Sequence, residues 1–331
     1  MTARKAGIRL QLDGGGDLAD KINPRFVSLS LTEKREAEAD ELELTLQNTD
    51  GLLALPEPGA VLLLALGWEA GEGLPTGLVD KGRFTVDEVE ASGPPDMVRI
   101  RARSADMTGS LRQRRTVSYV DMTLGQILDL VAQRHGREAR VDPALRGQAT
   151  GPIEQEGKSD LAFVADLGRR FDAIATWKDG KLLFLPIGQS ATAGGTPLDQ
   201  FQLRREDGWT WRWAQADRDD YDGASAQWQD MDAGQRKTVK IGGDNRLKLK
   251  RVYATEGEAR QAAQAALSRA KRKPYSFSYD LAIANPALQV DGRIALAGWN
   301  DKIDGASWLL ESIRTDMDAN GLRQSIEMES V

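Results

Sequence analysis

Three places in the chain combine residue types and spacings that could do chemistry, and each fails in its own way. Gly151 to Ser159 reads G-P-I-E-Q-E-G-K-S, close to a phosphate-binding loop. Five residues separate Gly151 from Gly157 where that motif needs four. Glu154 and Glu156 would put negative charge where phosphates sit, and no apolar strand leads in. A polar loop closing on Ser159 as a helix cap is expected, with no nucleotide. Asp217-Arg-Asp-Asp-Tyr-Asp222-Gly223 has the look of a calcium loop. Tyr221 occupies its fifth position, however, and Trp228 its twelfth, where a bidentate Glu belongs. The expectation is a solvated acidic loop, with a looser calcium or magnesium site as the alternative. The chain has no cysteine and one histidine, His135, which excludes thiolate catalysis, cysteine-ligated zinc and paired-histidine metal motifs. His135 ends a predicted helix, where a cation is ordinary, and no serine motif adjoins it. Fifty acidic residues guarantee coincidental carboxylate pairs, so a glycan-hydrolysing pair has no positive support. No catalytic, cofactor-binding or metal-ligating residue is expected, and no cofactor.

Two further clusters suggest contacts and not reactions. Arg99, Arg101 and Arg103 alternate with Val98, Ile100 and Ala102, so they should line one face of a strand whose other face is core. That face is either a solvated sheet surface or a subunit contact or channel wall, because arginine suits forked carboxylate pairing across interfaces. Trp209, Trp211 and Trp213 should share one face of another strand. A base-stacking or glycan platform would look like this, and so would a strand packed on another subunit or domain, which is preferred.

The elements that must position these residues are mainly strands. Ile8 to Leu12, Phe26 to Leu31 and Leu42 to Leu46 alternate with a period of two. Val61 to Trp68 is nearly all apolar, and Gly82–Glu90 and Met97–Ser104 flank a Gly-Pro-Pro turn. Between 121 and 187 the period lengthens. Leu124, Ile127, Leu128 and Val131 lie on one helical face behind a Thr123/Gln126 capping box, with Gly136 as the stop. A second helix opens at Ser159 with Leu161, Val164, Gly168 and Phe171 inward, and a hairpin over 174–185 follows. Ser190 to Pro197 reads as a linker. Strands then return, interrupted by a helix over 255–273 whose narrow face holds Ala259, Ala262, Ala263, Ala266, Leu267 and Ala270, with Lys271 to Lys273 at its end. Leu64-Ala-Leu-Gly-Trp68 is echoed by Ala295-Leu-Ala-Gly-Trp299, each leading into a hairpin. The elements read as mainly β with an α+β insert: β regions 1–110 and 191–331 around a helix–helix–hairpin insert, 111–190, with the echo leaving open whether the two β regions are a duplication or unrelated.

The 331 residues suit about two domains. The longest apolar run, Val61–Leu66, is far short of the ~18 residues that cross a bilayer. Met1 to Lys5 is basic, but Gly7 to Asp13 alternates, so no secretory export is indicated. A net charge of −6 argues against a protein whose main task is wrapping nucleic acid.

Residues 26–46, F-V-S-L-S-L-T-E-K-R-E-A-E-A-D-E-L-E-L-T-L, and residues 82–128 resemble the phage late control protein D family. The G-P-P-D turn, the A-R-S-A-D strand end and the T-L-G helix start occur in the family's order. S-D-L-A-F-V-A-D-L-G-R-R-F-D-A and T-E-G-E-A-R-Q-A-A-Q-A-A-L fit as well, whereas 190–250 carries little of the likeness. The resemblance implies a structural baseplate hub of a contractile phage tail or tailocin, similar to the hub half of type VI secretion spike proteins. It implies a homotrimer in the assembled particle that joins a sixfold tail tube to a threefold spike, and hence two related β-barrel-like domains per chain, 1–110 and 191–331. Its implied partners are the tube protein, the spike protein, other baseplate proteins and the tape measure, with no sequence-specific nucleic acid. Its implied location is the virion or tailocin particle, and the host cytoplasm during assembly. The alternative is a peptidoglycan-binding or cell-wall hydrolase component of the tail tip.

Overall fold

Alternation in the first hundred residues produces six strands: β1 (Lys5–Leu12), β2 (Phe26–Lys34), β3 (Glu41–Gln47), β4 (Val61–Ala70), β5 (Gly77–Ser92) and β6 (Met97–Ser104), with a short helix α1 (Ala19–Ile22). The structure is a computed structural model, and it describes residues 4–35, 39–104, 109–178, 180–188, 198–215, 221–231, 233–271 and 275–331. The inward positions of these strands, among them Leu29, Leu31, Leu42, Leu44, Leu64, Phe84, Val98 and Ile100, form one buried cluster. The proposed linker over 190–197 and Asp217 to Asp220 of the acidic loop lie outside the described residues.

The insert comprises β7 (Arg114–Tyr119), α2 (Leu124–Gln133), β8 (Glu138–Val141), α3 (Pro143–Arg146), β9 (Ile153–Ser159), α4 (Asp160–Phe171), β10 (Ala173–Lys178) and β11 (Lys181–Pro186). The Thr123/Gln126 capping box is formed as expected. Two expectations need correction. Residues 153–159 are a strand and not a loop: β9 pairs antiparallel with β7, Ile153 opposite Tyr119. Ile153 and Gln155 turn inward while Glu154 and Glu156 turn out, and one apolar residue in seven gives too weak an alternation to read. The inner face of α4 is also wider than expected, since Phe163 and Leu167 are buried and Leu161 only partly so. Phe163 stacks on Tyr119 with ring centroids 5.3 Å apart. Gly168 lets α4 lie close on β10, where a Cβ would meet that of Ala175 at 2.7 Å.

The remainder holds β12 (Phe201–Arg204), β13 (Gly208–Gln215), β14 (Gly223–Asp230), β15 (Gln235–Gly242), β16 (Arg246–Tyr253), α5 (Glu256–Lys271), β17 (Tyr275–Leu281), β18 (Arg293–Ala297), α6 (Asp301–Asp304), β19 (Trp308–Asp318) and β20 (Gly321–Ser330). β15, β14 and β16 form a separate three-stranded sheet. α5 covers one side of it, with Ala259, Ala262, Ala263 and Leu267 on Ala224, Ala226 and Val239. Ala265 is buried too, so the helix's apolar face is broader than its expected narrow stripe.

Both β regions contribute to one curled half-barrel sheet of twelve strands, in the order β1-β4-β5-β6-β3-β2-β19-β20-β17-β13, with β18 against β19 and β12 parallel to β18. Within it a motif repeats. The first region runs β4-β5-β6-β3-β2 and the second β18-β19-β20-β17-β13, the same order of strands built twice. The sequence echo falls in β4 and at β18, the third strand of each copy. The outermost strands differ, because β1 is antiparallel to β4 whereas β12 is parallel to β18.

Candidate functional site

Val98, Ile100 and Ala102 are buried, which turns Arg99, Arg101 and Arg103 onto the open face of the sheet. β3 and β5 flank β6, and their register sets Glu43 and Glu88 beside Arg101, and Glu90 beside Arg99. Arg101 lies 3.2 Å from Glu43 and 2.8 Å from Glu88, while Arg99 is 3.5 Å from both Glu43 and Glu90. Arg103 is 3.4 Å from Asp87 and 3.9 Å from Glu41. Hydrogen bonds to Glu43 and Glu88 raise the Arg101 pKa, reinforcing its cationic form. The three guanidinium groups are thus met within their own sheet by five carboxylates, and the face is acidic on balance.

The tryptophans lie on β13, the terminal strand of the half-barrel, which among the described residues is paired with β17 alone. They do not share one face. The register slips between Gly208 and Trp211, a bulge that breaks the alternation before Trp211. Trp209 is 79% exposed. Trp211 is 37% exposed and stacks on Phe277 at 6.0 Å, with Trp299 edge-on at 6.3 Å. Trp213 packs 5.3 Å from Tyr275. The platform divides into one free indole and two that join the second region's own aromatic cluster.

A second edge matches this one. β19 pairs at its start with β18, through Trp308 and Leu309, and from Ser312 to Asp318 with β2. Its counterpart β5 pairs with β4 as far as Thr85, with Gly59 and Ala60 bonded to Val86. From Asp87 to Ser92 no strand pairs with that side among the described residues.

No model of a known protein family matches the chain. Two relatives do: the probable baseplate hub proteins of Escherichia phage P2, 34% identical, and Escherichia phage 186, 33% identical, each spanning 95% of this chain and 90% of the relative. The chain belongs to the phage baseplate hub family. Solved structures support the fold. The 43 kDa tail protein of prophage MuSo2 from Shewanella oneidensis superimposes with a TM-score of 0.65 at 17% identity, covering 98% of this chain and 96% of that one. An Escherichia coli component of the type VI secretion system gives 0.58 at 12% identity, over 98% and 76%.

Within this hub-family chain, sequence reasoning missed one constellation in the insert. Ser110 Oγ lies 3.0 Å from His135 Nδ1, and His135 Nε2 lies 2.8 Å from Asp160 Oδ2. A serine, a histidine and an aspartate in line resemble a hydrolytic triad. Asp160, however, is fully buried and also receives Arg134 at 3.0 Å, Arg115 at 3.3 Å and the Gln155 amide at 2.7 Å. Two guanidinium groups already neutralise the carboxylate that a catalytic triad would keep for an imidazolium. Burial raises the Tyr119 pKa, and the hydrogen bond its hydroxyl accepts from Arg134 partly offsets this. The arrangement ties β7, α2, β9 and α4 together. Ser110 and Asp160 each lie 25 residues from His135, so no local spacing marks them. Among the described residues, no group of three or more His, Asp or Glu could hold a metal.

Proposed function

We propose that the chain is the structural hub of a contractile tail baseplate and acts as a homotrimer between a sixfold tail tube and a threefold spike. In this reading it works by binding, without turnover or cofactor, in the virion or tailocin particle after assembly in the host cytoplasm. Its partners are the tube protein, the spike protein and other baseplate proteins, including the tape measure. The two tube-type units are residues 1–110 and 191–331, the second carrying the β14–β16 sheet and α5, and 111–190 is the insert.

One observation carries the proposal. The strand order repeats, and the two copies are joined by β2 of the first to β19 of the second. The equivalents of these strands, β13 and β5, each keep a free edge among the described residues. Repeating the joint between chains, with β13 against Asp87–Ser92 of the next copy, would close three chains into a ring of six similar units. Thr32 faces Arg314 in the joint within the chain. In the corresponding joint between chains we place Arg212 opposite Glu88 of the neighbour, an oppositely charged pair. Trp211 would then lie over Val89, covering both. This puts the tryptophan strand at the subunit contact and the Arg99–Arg101–Arg103 face beside it, toward the lumen.

A map of the assembled baseplate tests this. The expected result is threefold density with β13 against β5 of the neighbour and more than about 2,000 Å² buried, as in obligate assemblies. A hub without threefold symmetry, or with β13 unpaired, sinks the proposal. Arg212→Glu should block particle assembly while the chain still folds, and adding Glu88→Arg should restore part of it.

A further inference from the structure

Residues 235–251 hold seven Lys and Arg and one Asp, a charge of +6 in a chain totalling −6, which leaves −12 for everything else. The pleat of β14, β15 and β16 sorts these residues. Ala224, Ala226, Val239, Ile241, Leu247 and Leu249 turn toward α5. On the opposite side Arg236, Lys240, Lys248 and Lys250 are exposed, with Gln227 and Thr238 among them. None of these four cations has an ion-pair partner among the described residues. Their neighbours differ: Lys237 pairs with Asp230 at 2.6 Å and Arg246 with Asp244 at 2.9 Å.

We propose that this face docks the phosphate backbone of duplex DNA, independently of base sequence. Unpaired cations on an open sheet face attract a polyanion, and hydroxyl and amide side chains between them can donate to phosphate oxygens. Among the described residues the face carries one apolar side chain, Val252 opposite Gln227, with Met231 exposed beyond the end of β14 and no aromatic ring, whereas a protein–protein contact needs an apolar or aromatic cluster at its centre and a membrane contact a wedge. It also has no stacking surface for unpaired bases, because Trp228 turns to the α5 side. Two residues along a strand advance about 6.6–6.8 Å, twice the rise of about 3.4 Å between successive phosphates on one strand of a duplex. The acidic remainder of the chain keeps the contact local.

The test is fluorescence anisotropy of a labelled random-sequence duplex with the full chain over a salt series. With four phosphates neutralised, log K should fall against log salt with a slope of about −3 to −4, a loss of about a hundredfold between about 50 and 200 mM. Each of Arg236→Gln, Lys240→Gln, Lys248→Gln and Lys250→Gln should reduce the slope by about 1, and the quadruple variant should abolish binding. Lys21→Gln, on an exposed residue of α1, should change nothing. If the quadruple variant does not fold, by circular dichroism, the four single slopes decide. A slope flatter than about −1, binding that survives the quadruple change, or stronger binding to single strands, to anionic phospholipid vesicles or to an acidic protein overturns the proposal.

Discussion

The two arginine- and lysine-rich sheet faces of this chain are built from the same alternation, yet they are electrostatic opposites. On β6 every outward cation falls between carboxylates of β3 and β5, so its field is cancelled within a few ångströms. On β15 and β16 the cross-strand neighbours are Ser225, Gln227 and Gln229, and the field is left open. A run of basic residues on one strand therefore says little about binding. The neighbouring strands decide whether it is a closed ladder or an open surface.

Substitutions can break or sharpen this contrast. The largest effect is expected where charge compensation is also buried. Asp160→Ala leaves Arg115 and Arg134 without their shared counter-charge, and should cost about 3–5 kcal/mol of stability in urea denaturation. A loss below about 1 kcal/mol would show that the network is dispensable.

Next come the tryptophans. Trp211→Ala removes a stack on Phe277 and should cost about 1–2 kcal/mol of folding stability. Trp209→Ala should leave the melting temperature of the free chain unchanged and impair only particle assembly. Equal effects of the two on folding would refute the division seen at β13.

Arg101→Gln interrupts a compensated but exposed ladder, and should lower the melting temperature only slightly, with the difference shrinking as salt screens it. The open face should behave differently again. Lys240→Gln with Lys248→Gln relieves like-charge repulsion without breaking any pair, so thermal unfolding should stay within about 0.5 kcal/mol of the parent or rise slightly. Clear destabilisation would mean that these lysines have partners after all.

The smallest effect concerns an exposed ion pair. Arg25 hydrogen-bonds Asp50 and holds its pKa down to about 2, from an ordinary value of 3.8. Because the folded value is depressed, the pair's contribution is present above the ordinary value and disappears as pH falls through about 2. Nuclear magnetic resonance titration of Arg25→Gln should return Asp50 toward its ordinary value. No change would leave the backbone N–H of Leu52, its other donor, as the cause.

What the sequence determined by itself was everything governed by near neighbours. Alternation at Leu42-Glu-Leu-Thr-Leu46 and at Val98 to Arg103 assigns core and outward faces, because a pleat depends only on successive residues. Thr123 and Gln126 start a helix through two hydrogen bonds three residues apart, and the alanines after Thr255 identify a helix that must lie flat on something. The family, too, was legible, in motifs spread over most of the chain. Tertiary structure decided what depends on distant partners. Ile153 to Ser159 is a strand because β7 offers its edge, and Gln155 is buried there with little local hydrophobicity to announce it. Ser110, His135 and Asp160 meet only when three elements converge. That α5 closes a sheet of its own, and that β2 crosses to β19 instead of ending its region, follows from which surfaces find each other in space. Hydrogen-bonded edges are chemically alike from strand to strand, so the backbone that pairs them carries no residue code, and only the packed fold selects between them.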